Sequence, residues 1–125
     1  MSLLLDSHTL LWWLDDNKRL SHEARTAIAS SELPAFVSAA TVWEIAIKIQ
    51  AGKLRTPGPF DEALAASQFQ TLPITAEHAL VAGGLPAHHR DPFDRMLVAQ
   101  ARVESLTLVT RDRVLAEYGV EILWA

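Results

Sequence analysis

The sequence contains no cysteine among its 125 residues. This absence excludes disulfide bonds, thiol nucleophiles and zinc sites built on cysteine. An excess of basic residues is also missing, since 15 acidic residues outnumber 11 lysines and arginines and give a formal charge of -4. A simple basic nucleic-acid-binding module is therefore disfavoured. An enzyme that acts on nucleic acid is still compatible with this balance, because bound metal ions neutralise acidic side chains.

Long apolar runs, linkers and internal repeats are absent as well. The amino terminus has neither the basic leader nor the long apolar segment of a signal peptide. The apolar run at 10–14 is far shorter than the ~20 residues of a membrane helix. We therefore expect one cytoplasmic domain that spans 1–125 and has no membrane contact. The P-loop, the nucleophile elbow and the dinucleotide-binding fingerprint are also missing.

Short apolar segments alternate with helical patterns along the chain. This alternation predicts an α/β fold in which a parallel sheet of about five strands is covered by helices on both faces. In such folds, ligands bind beyond the carboxyl ends of the strands. The predicted strands are 3–5, 34–37, 71–74, 106–109 and 120–124.

Three acidic residues from distant parts of the chain are expected at this edge of the sheet. Asp6 directly follows the first predicted strand, and Asp112 follows a late one. Asp94 lies in the first turn of a helix that begins at Asp91-Pro92, an acidic N-cap followed by proline at the first helical position. Asp94 could also serve the helix dipole alone. The convergence of all three favours a functional site.

Glu44 lies within a predicted helix at 38–51 that is apolar on nearly every side, which predicts a buried helix. Lys48 is one helical turn further on and is a natural ion-pair partner. Glu44 is therefore either half of an ion pair or a fourth carboxylate of the site. The sequence leaves both interpretations open.

Crowded carboxylates raise one another's pKa values unless a cation lies among them. Oxygen ligands without cysteine or well-spaced histidine select Mg²⁺ or Mn²⁺, and two such ions ~3.5–4 Å apart can promote phosphodiester cleavage by water. Ser7 and Thr110 would add hydroxyl groups. The adjacent histidines at 88–89 are expected to be solvated in a loop. The candidate contacts to a phosphate backbone are Lys48, Arg95, Arg111 and Arg113, together with the basic run at 88–90.

Four segments in register resemble the PIN domain, and more closely the VapC-type toxins of bacterial toxin–antitoxin pairs. The segments are LLLDSHTLLWWL at 3–14, SAATVWEIAIK at 38–48, DPFDRMLVAQA at 91–101 and VTRD at 109–112. The resemblance runs from end to end of the chain. It implies a Rossmann-like sheet in the order 3-2-1-4-5 and Mg²⁺- or Mn²⁺-dependent cleavage of RNA that leaves a 5′-phosphate and a 3′-hydroxyl.

The resemblance also assigns residues and partners. Asp6, Glu44 and Asp94 fall on the family's invariant acids, and Asp112 falls on a more variable fourth acid with Thr110 beside it. Ser7 stands where the family often has threonine. A VapB-type antitoxin and a homodimer are implied. We also hypothesise that the two tryptophans at 12–13 are exposed and form a contact surface for a partner.

Two other functions fit parts of this pattern. One is a Mg²⁺-dependent phosphoryl-transfer domain with Asp6 as phosphoacceptor, although His8 stands where a phosphatase of this kind has a second acid. The other is a non-catalytic RNA- or protein-binding module of the same fold, in which the acids are helix caps and ion pairs. A metal-dependent endoribonuclease remains the favoured prediction.

Overall fold

A computed structural model describes residues 2–125. Five strands form one parallel sheet, as predicted. The strands are β1 (Leu3–Leu5), β2 (Ala35–Ser38), β3 (Gln70–Leu72), β4 (Thr107–Thr110) and β5 (Ile122–Trp124). Their order is β3-β2-β1-β4-β5, which confirms the order that the family resemblance implied.

Six α-helices and one 3₁₀ helix connect and cover the strands. They are α1 (Ser7–Leu14), α2 (His22–Ala29), α3 (Ala39–Gln50), α4 (Phe60–Ala66), α5 (Ala76–Gly84), α6 (Pro92–Glu104) and the 3₁₀ helix (Arg113–Tyr118). The segment that follows Asp112 forms the 3₁₀ helix, which begins at Arg113. Within 2–125, every helix is too short or too polar to cross a membrane.

The central strand β1 separates two apolar cores. Leu3 and Leu5 pack into the core on one face of the sheet, and Leu4 packs into the core on the other face. All three side chains are fully buried, and each such burial contributes roughly 1.5–3 kcal/mol. Because β1 is held from both faces, the residue that follows it has a well-defined position.

The strand register aligns the carboxyl ends of the central strands. Leu5 of β1 pairs with Val37 of β2 on one side and with Val109 of β4 on the other. The next residues, among them Asp6 and Thr110, therefore emerge at the same edge of the sheet. This is the edge where parallel α/β folds bind ligands.

Helix α3 is only half buried, which corrects the prediction that it would be buried on all sides. Glu44 and Ile45 face inward, whereas Trp43 and Ile47 are 63% and 43% exposed. The ring of Trp43 contacts the edge of Phe93 at a centroid distance of 5.5 Å. The sequence shows that the helix is apolar, but it does not show that this domain covers only one side of it.

The two consecutive tryptophans of α1 are not the exposed pair that we predicted. Both are half buried and pack against the core on their side of the sheet. Trp13 meets Phe69 edge-on, and the guanidinium of Arg111 lies over the ring of Trp12 at 4.6 Å from the ring centroid. Their proposed role as a partner contact stays a prediction.

Candidate active site

Asp6 is fixed by the start of helix α1. It is the N-cap of that helix, where its Oδ1 accepts a hydrogen bond of 2.9 Å from the Thr9 backbone N–H. Its Oδ2 accepts a hydrogen bond of 2.5 Å from the Thr110 hydroxyl at the end of β4. The side chain of Asp6 is thus buried at the sheet edge and hydrogen-bonded through both oxygens.

Thr110 connects Asp6 to Asp112. The Thr110 hydroxyl oxygen accepts a hydrogen bond of 3.0 Å from the Asp112 backbone N–H. Asp112 caps the 3₁₀ helix through Oδ1, which accepts from the Val114 N–H at 3.0 Å. The other carboxylate oxygen, Oδ2, is 2.9 Å from Nε2 of His89.

Asp94 lies on the same side of the imidazole of His89. Its Oδ2 is 3.2 Å from His89 Nε2. Asp91 is the N-cap of α6, as predicted, and accepts hydrogen bonds from the N–H groups of Phe93 and Asp94. One potential ligand atom from each of His89, Asp94 and Asp112 lies within 4.8 Å of the others. Hydrogen bonds therefore connect Asp6 through Thr110 and Asp112 to His89, and Asp94 lies within ion-pair distance of the same imidazole nitrogen.

His89 is the site residue that the sequence analysis missed, because we expected it to be solvated in a loop. Its backbone N–H donates to the hydroxyl of Tyr118 at 2.8 Å, and that hydroxyl donates to the Pro86 carbonyl at 2.9 Å. The Arg95 guanidinium donates to the Pro86 and His89 carbonyls from the other side. The side chains that hold this loop are a distant tyrosine and an arginine, and both residue types have many possible roles. No local signal in the sequence therefore distinguishes His89 from His88.

Glu44 is buried on the inward side of α3 and pairs with Lys48, whose Nζ is 3.0 Å from Glu44 Oε2. The expected ion pair is therefore present. The negative charge of Glu44 also acts on Asp94, where it helps to raise the pKa. The side chain is thus both paired and close enough to belong to the acidic group, so the two interpretations of Glu44 are compatible.

The electrostatics of the site show that it has a surplus of negative charge. The pKa of Asp94 is raised from 3.8 to about 7. Burial is the largest cause, and the negative charge of Asp91 is the second. Glu44 and Asp6 act in the same direction, whereas His89 opposes them. Ionised carboxylates in such a group are stabilised when a cation joins them. A donor set of carboxylate oxygens fits Mg²⁺ or Mn²⁺.

The predicted RNA contacts divide into two groups. Arg95 donates to backbone carbonyls that include those of Ala82 and Leu85, so it fastens the loop before α6. Arg111 donates to the carbonyls of Ala125 and Arg19. Both guanidinium groups hold the fold together. Lys48 and the exposed Arg113 remain as candidates.

A cleft of about 260 Å³ adjoins the acids at the start of α1. Its lining includes Ser7, His8, Lys48 and Lys53. A second, mostly apolar groove of about 570 Å³ continues from His8 and Leu11 toward α4. The acidic site is therefore flanked by a cleft with two lysines, and beyond it by an apolar groove.

The PIN domain family model matches residues 3–121. The chain belongs to the PIN domain family, as its sequence motifs predicted. Within that family it resembles the VapC-type members. It is 33% identical over 120 residues to Ribonuclease VapC22 of Mycobacterium tuberculosis strain H37Rv, a match that covers 94% of this chain and 92% of the relative.

Solved structures share the fold at low sequence identity. The VapBC2 complex of Rickettsia felis, bound to a promoter DNA fragment, matches with a TM-score of 0.74 and 12% identity over 99% of this chain and 98% of the other. DNA-bound VapBC of Salmonella typhimurium matches with a TM-score of 0.71 and 20% identity, over 99% of this chain and 98% of the other. At these identities the likeness concerns the fold alone.

Proposed function

We propose that this protein is an endoribonuclease toxin of the VapC type that depends on Mg²⁺ or Mn²⁺. The observation that carries the proposal is the hydrogen-bonded chain from Asp6 through Thr110 and Asp112 to His89, with Asp94 3.2 Å from the same imidazole nitrogen, in a group with surplus negative charge. The identity to Ribonuclease VapC22 supports RNA as the substrate.

Asp6, Glu44, Asp94 and Asp112 would hold the ion or ions. When bound, the metal would polarise the phosphodiester and help to activate the attacking water. The Thr110 hydroxyl fixes Asp6, and Lys48 limits the movement of Glu44 by its ion pair. Ser7, at the first position of α1, places a further hydroxyl beside Asp6 and in the adjoining cleft.

The cleft beside the acids is the proposed path of the RNA backbone. Lys48 and Lys53 supply positive charge in its lining, and Arg113 extends from the first position of the 3₁₀ helix that follows Asp112. Such contacts bind phosphate without reading the base sequence. We therefore assign these cations to affinity for RNA and not to the choice of target.

The apolar groove next to this path is the proposed docking site of a VapB-type antitoxin. It is lined by Leu11, Trp12 and Phe60, and Arg55 lies at its margin. Related folds have been solved as VapBC complexes, which supports a partner of that kind. A segment that fills this groove can continue along the cleft toward the acids. We also retain a homodimer as a prediction, with the exposed side of α3 available for the contact.

The test is cleavage of end-labelled, structured RNA by the antitoxin-free protein with Mg²⁺, Mn²⁺ or EDTA. Asp94→Asn should fold but lose cleavage, because a neutral amide replaces a ligand carboxylate. The matched control is Asp61→Asn, the same chemical change at an exposed position of α4, and it should retain wild-type activity.

Metal-dependent cleavage that only Asp94→Asn abolishes would support the proposal. Absence of Mn²⁺ binding by calorimetry, together with absence of cleavage, would favour the non-catalytic module instead. A covalent phosphate trapped on Asp6 would favour phosphoryl transfer. Cleavage that persists both in EDTA and in Asp94→Asn would come from a contaminant.

A further inference from the structure

The imidazole of His89 lies between two of the acids, and its two ring nitrogens have different partners. Nδ1 accepts a hydrogen bond of 3.1 Å from the Asp91 backbone N–H. A nitrogen that accepts a hydrogen bond carries no proton, so the proton of the neutral ring is on Nε2. Nε2 is 2.9 Å from Asp112 Oδ2 and 3.2 Å from Asp94 Oδ2. His89 therefore places its Nε2–H between the two carboxylates, hydrogen-bonded to Asp112 and 3.2 Å from Asp94.

The loop that carries His89 is anchored so that the ring cannot easily turn away. Tyr118 binds it through the backbone N–H of His89 and the carbonyl of Pro86. Arg95 binds four carbonyl groups between Ala82 and His89. The neighbouring ring of His88 packs edge-on against Tyr118 at 5.0 Å and does not take part in the contact with the acids. The arrangement is specific to one of two adjacent histidines.

We propose that His89 is a positioning residue that holds Asp94 and Asp112 side by side through its Nε2–H and is not itself a metal ligand. Asp112 needs such a contact, because its side chain is 37% exposed and its fixed oxygen serves a short 3₁₀ helix. Asp94 and Asp112 are on separate elements, and their like charges repel. An N–H donor between them lowers that repulsion and leaves the other lone pairs of both carboxylates free.

This inference rests on the proposed metal-dependent function and adds a residue to its site. Partners that hydrogen-bond ligating carboxylates orient them, and removing one typically weakens metal binding ~10–100-fold. A ligand role for His89 would require Nε2 to lose its proton. The two roles therefore predict different states of the same nitrogen atom.

The first experiment is ¹⁵N NMR of the imidazole groups of the whole protein, without metal and with saturating Mg²⁺. We expect the Nε2–H tautomer for His89 in both states. Loss of the proton from Nε2 on addition of Mg²⁺, or ¹⁴N coupling from His89 in the EPR spectrum of the Mn²⁺ complex, would make His89 a ligand and overturn the proposal. This measurement needs no variant, so it does not depend on whether a substitution folds.

The second experiment is Mn²⁺ calorimetry on substituted proteins. His89→Phe keeps a flat aromatic ring but removes the donor, and we expect Mn²⁺ binding at least about tenfold weaker. His89→Gln restores a donor and should recover most of the affinity. His88→Gln, the matched control on the adjacent residue, should bind like wild type.

The outcomes separate this inference from the proposed function. If wild type binds Mn²⁺ and His89→Phe binds it equally well or more tightly, the positioning role is wrong and the nuclease proposal stands. If wild type binds no Mn²⁺ at all, the proposed function itself is wrong. An affinity that falls equally in His89→Phe and His89→Gln would show that a donor does not rescue binding, and the positioning role through Nε2–H would be wrong.

Discussion

Helix α6 carries two clusters of histidine and carboxylate, one near each end, and they differ in charge balance. At its amino end, His89 lies between Asp94 and Asp112, with the charges of Asp6 and Glu44 nearby. The second cluster lies in its last two turns and has a single acid. This contrast separates an arrangement that needs a cation from one that is complete by itself.

The second cluster joins α6 to α5. His78 is buried, and its Nε2 is 2.7 Å from Oε2 of Glu104. Its Nδ1 accepts a hydrogen bond of 3.1 Å from the Thr75 backbone N–H. The Gln100 amide donates to the Pro73 carbonyl at 3.3 Å. The same pair of residue types thus serves packing here, because one buried imidazole faces a single carboxylate that is partly open to water.

A Glu→Gln substitution made in each cluster should give the largest difference in the rate of RNA cleavage. Glu44→Gln should reduce RNA cleavage by more than the ~100-fold that loss of an outer partner can cause, because a carboxylate near the ion becomes neutral. Glu104→Gln makes the same chemical change at the other end of the molecule and should leave cleavage within about twofold. Rates with Mg²⁺ under single-turnover conditions provide the measurement. Full activity in Glu44→Gln would reduce Glu44 to the ion-pair partner of Lys48.

Removing the other histidine should affect stability and not metal binding. His78→Leu leaves the Thr75 N–H and the Glu104 carboxylate without their partner, and water can reach the Glu104 carboxylate, which is 41% exposed. We therefore expect a loss of only about 1 kcal/mol in the free energy of unfolding by urea, with unchanged Mn²⁺ affinity of the folded protein. His22→Leu, at an exposed position of α2, is the control. A large fall in Mn²⁺ affinity for His78→Leu would show that the two clusters are coupled.

Much of this fold could be predicted from the sequence, because its signals are local. Apolar strand segments, the Asp91-Pro92 helix start and the acid after β1 were all predicted, and the strand order followed from the family resemblance. The site was harder to predict from the sequence. His89 is brought to the acids by Tyr118, 29 residues further along the chain, and no local pattern encodes that distance.

The exposed side of α3 illustrates the other limit of sequence patterns. Trp43 and Ile47 continue the apolar character of the helix, yet both remain largely exposed, and Phe93 covers only part of the Trp43 ring. An apolar residue signals burial against something, but not whether the partner is the same chain. Similarly, Arg95 and Arg111 read as candidates for RNA binding, while in the structure they bind backbone carbonyls.

Acidification should distinguish the two clusters through Asp94. Burial and neighbouring acids raise its pKa in the folded protein to about 7, above the ordinary value of 3.8. The folded state therefore binds a proton that the unfolded state releases, and the metal-free protein gains stability as the pH falls through 7 toward 4. We expect a gain of roughly 2 kcal/mol between pH 8 and 5, within the limit of ~1.4 kcal/mol per pKa unit.

The matched control for this pH dependence is Asp94→Asn, which cannot titrate. Its metal-free stability at pH 8 should equal or exceed that of wild type, and the gain on acidification should be smaller by the contribution of Asp94. Saturating Mn²⁺ should have the opposite dependence, since it binds the ionised carboxylate and stabilises the fold more as the pH rises. Equal slopes for wild type and Asp94→Asn in urea unfolding would contradict the assignment to Asp94.

The smallest expected effect separates the two roles of Asp91. As N-cap it stabilises α6, and as a charge it raises the pKa of Asp94. Asp91→Ala removes both and should lower the free energy of unfolding by ~1 kcal/mol. Asp91→Ser keeps a capping oxygen without the charge, so it should retain the stability while the pKa of Asp94 falls. An unchanged titration of Asp94 in Asp91→Ser, followed by NMR of the carboxyl carbon, would mean that the charge of Asp91 does not contribute to this pKa. A lowered pKa of Asp94 would show that Asp91, which starts the helix, also adds to the surplus of negative charge in the site. The His78 cluster has no such surplus.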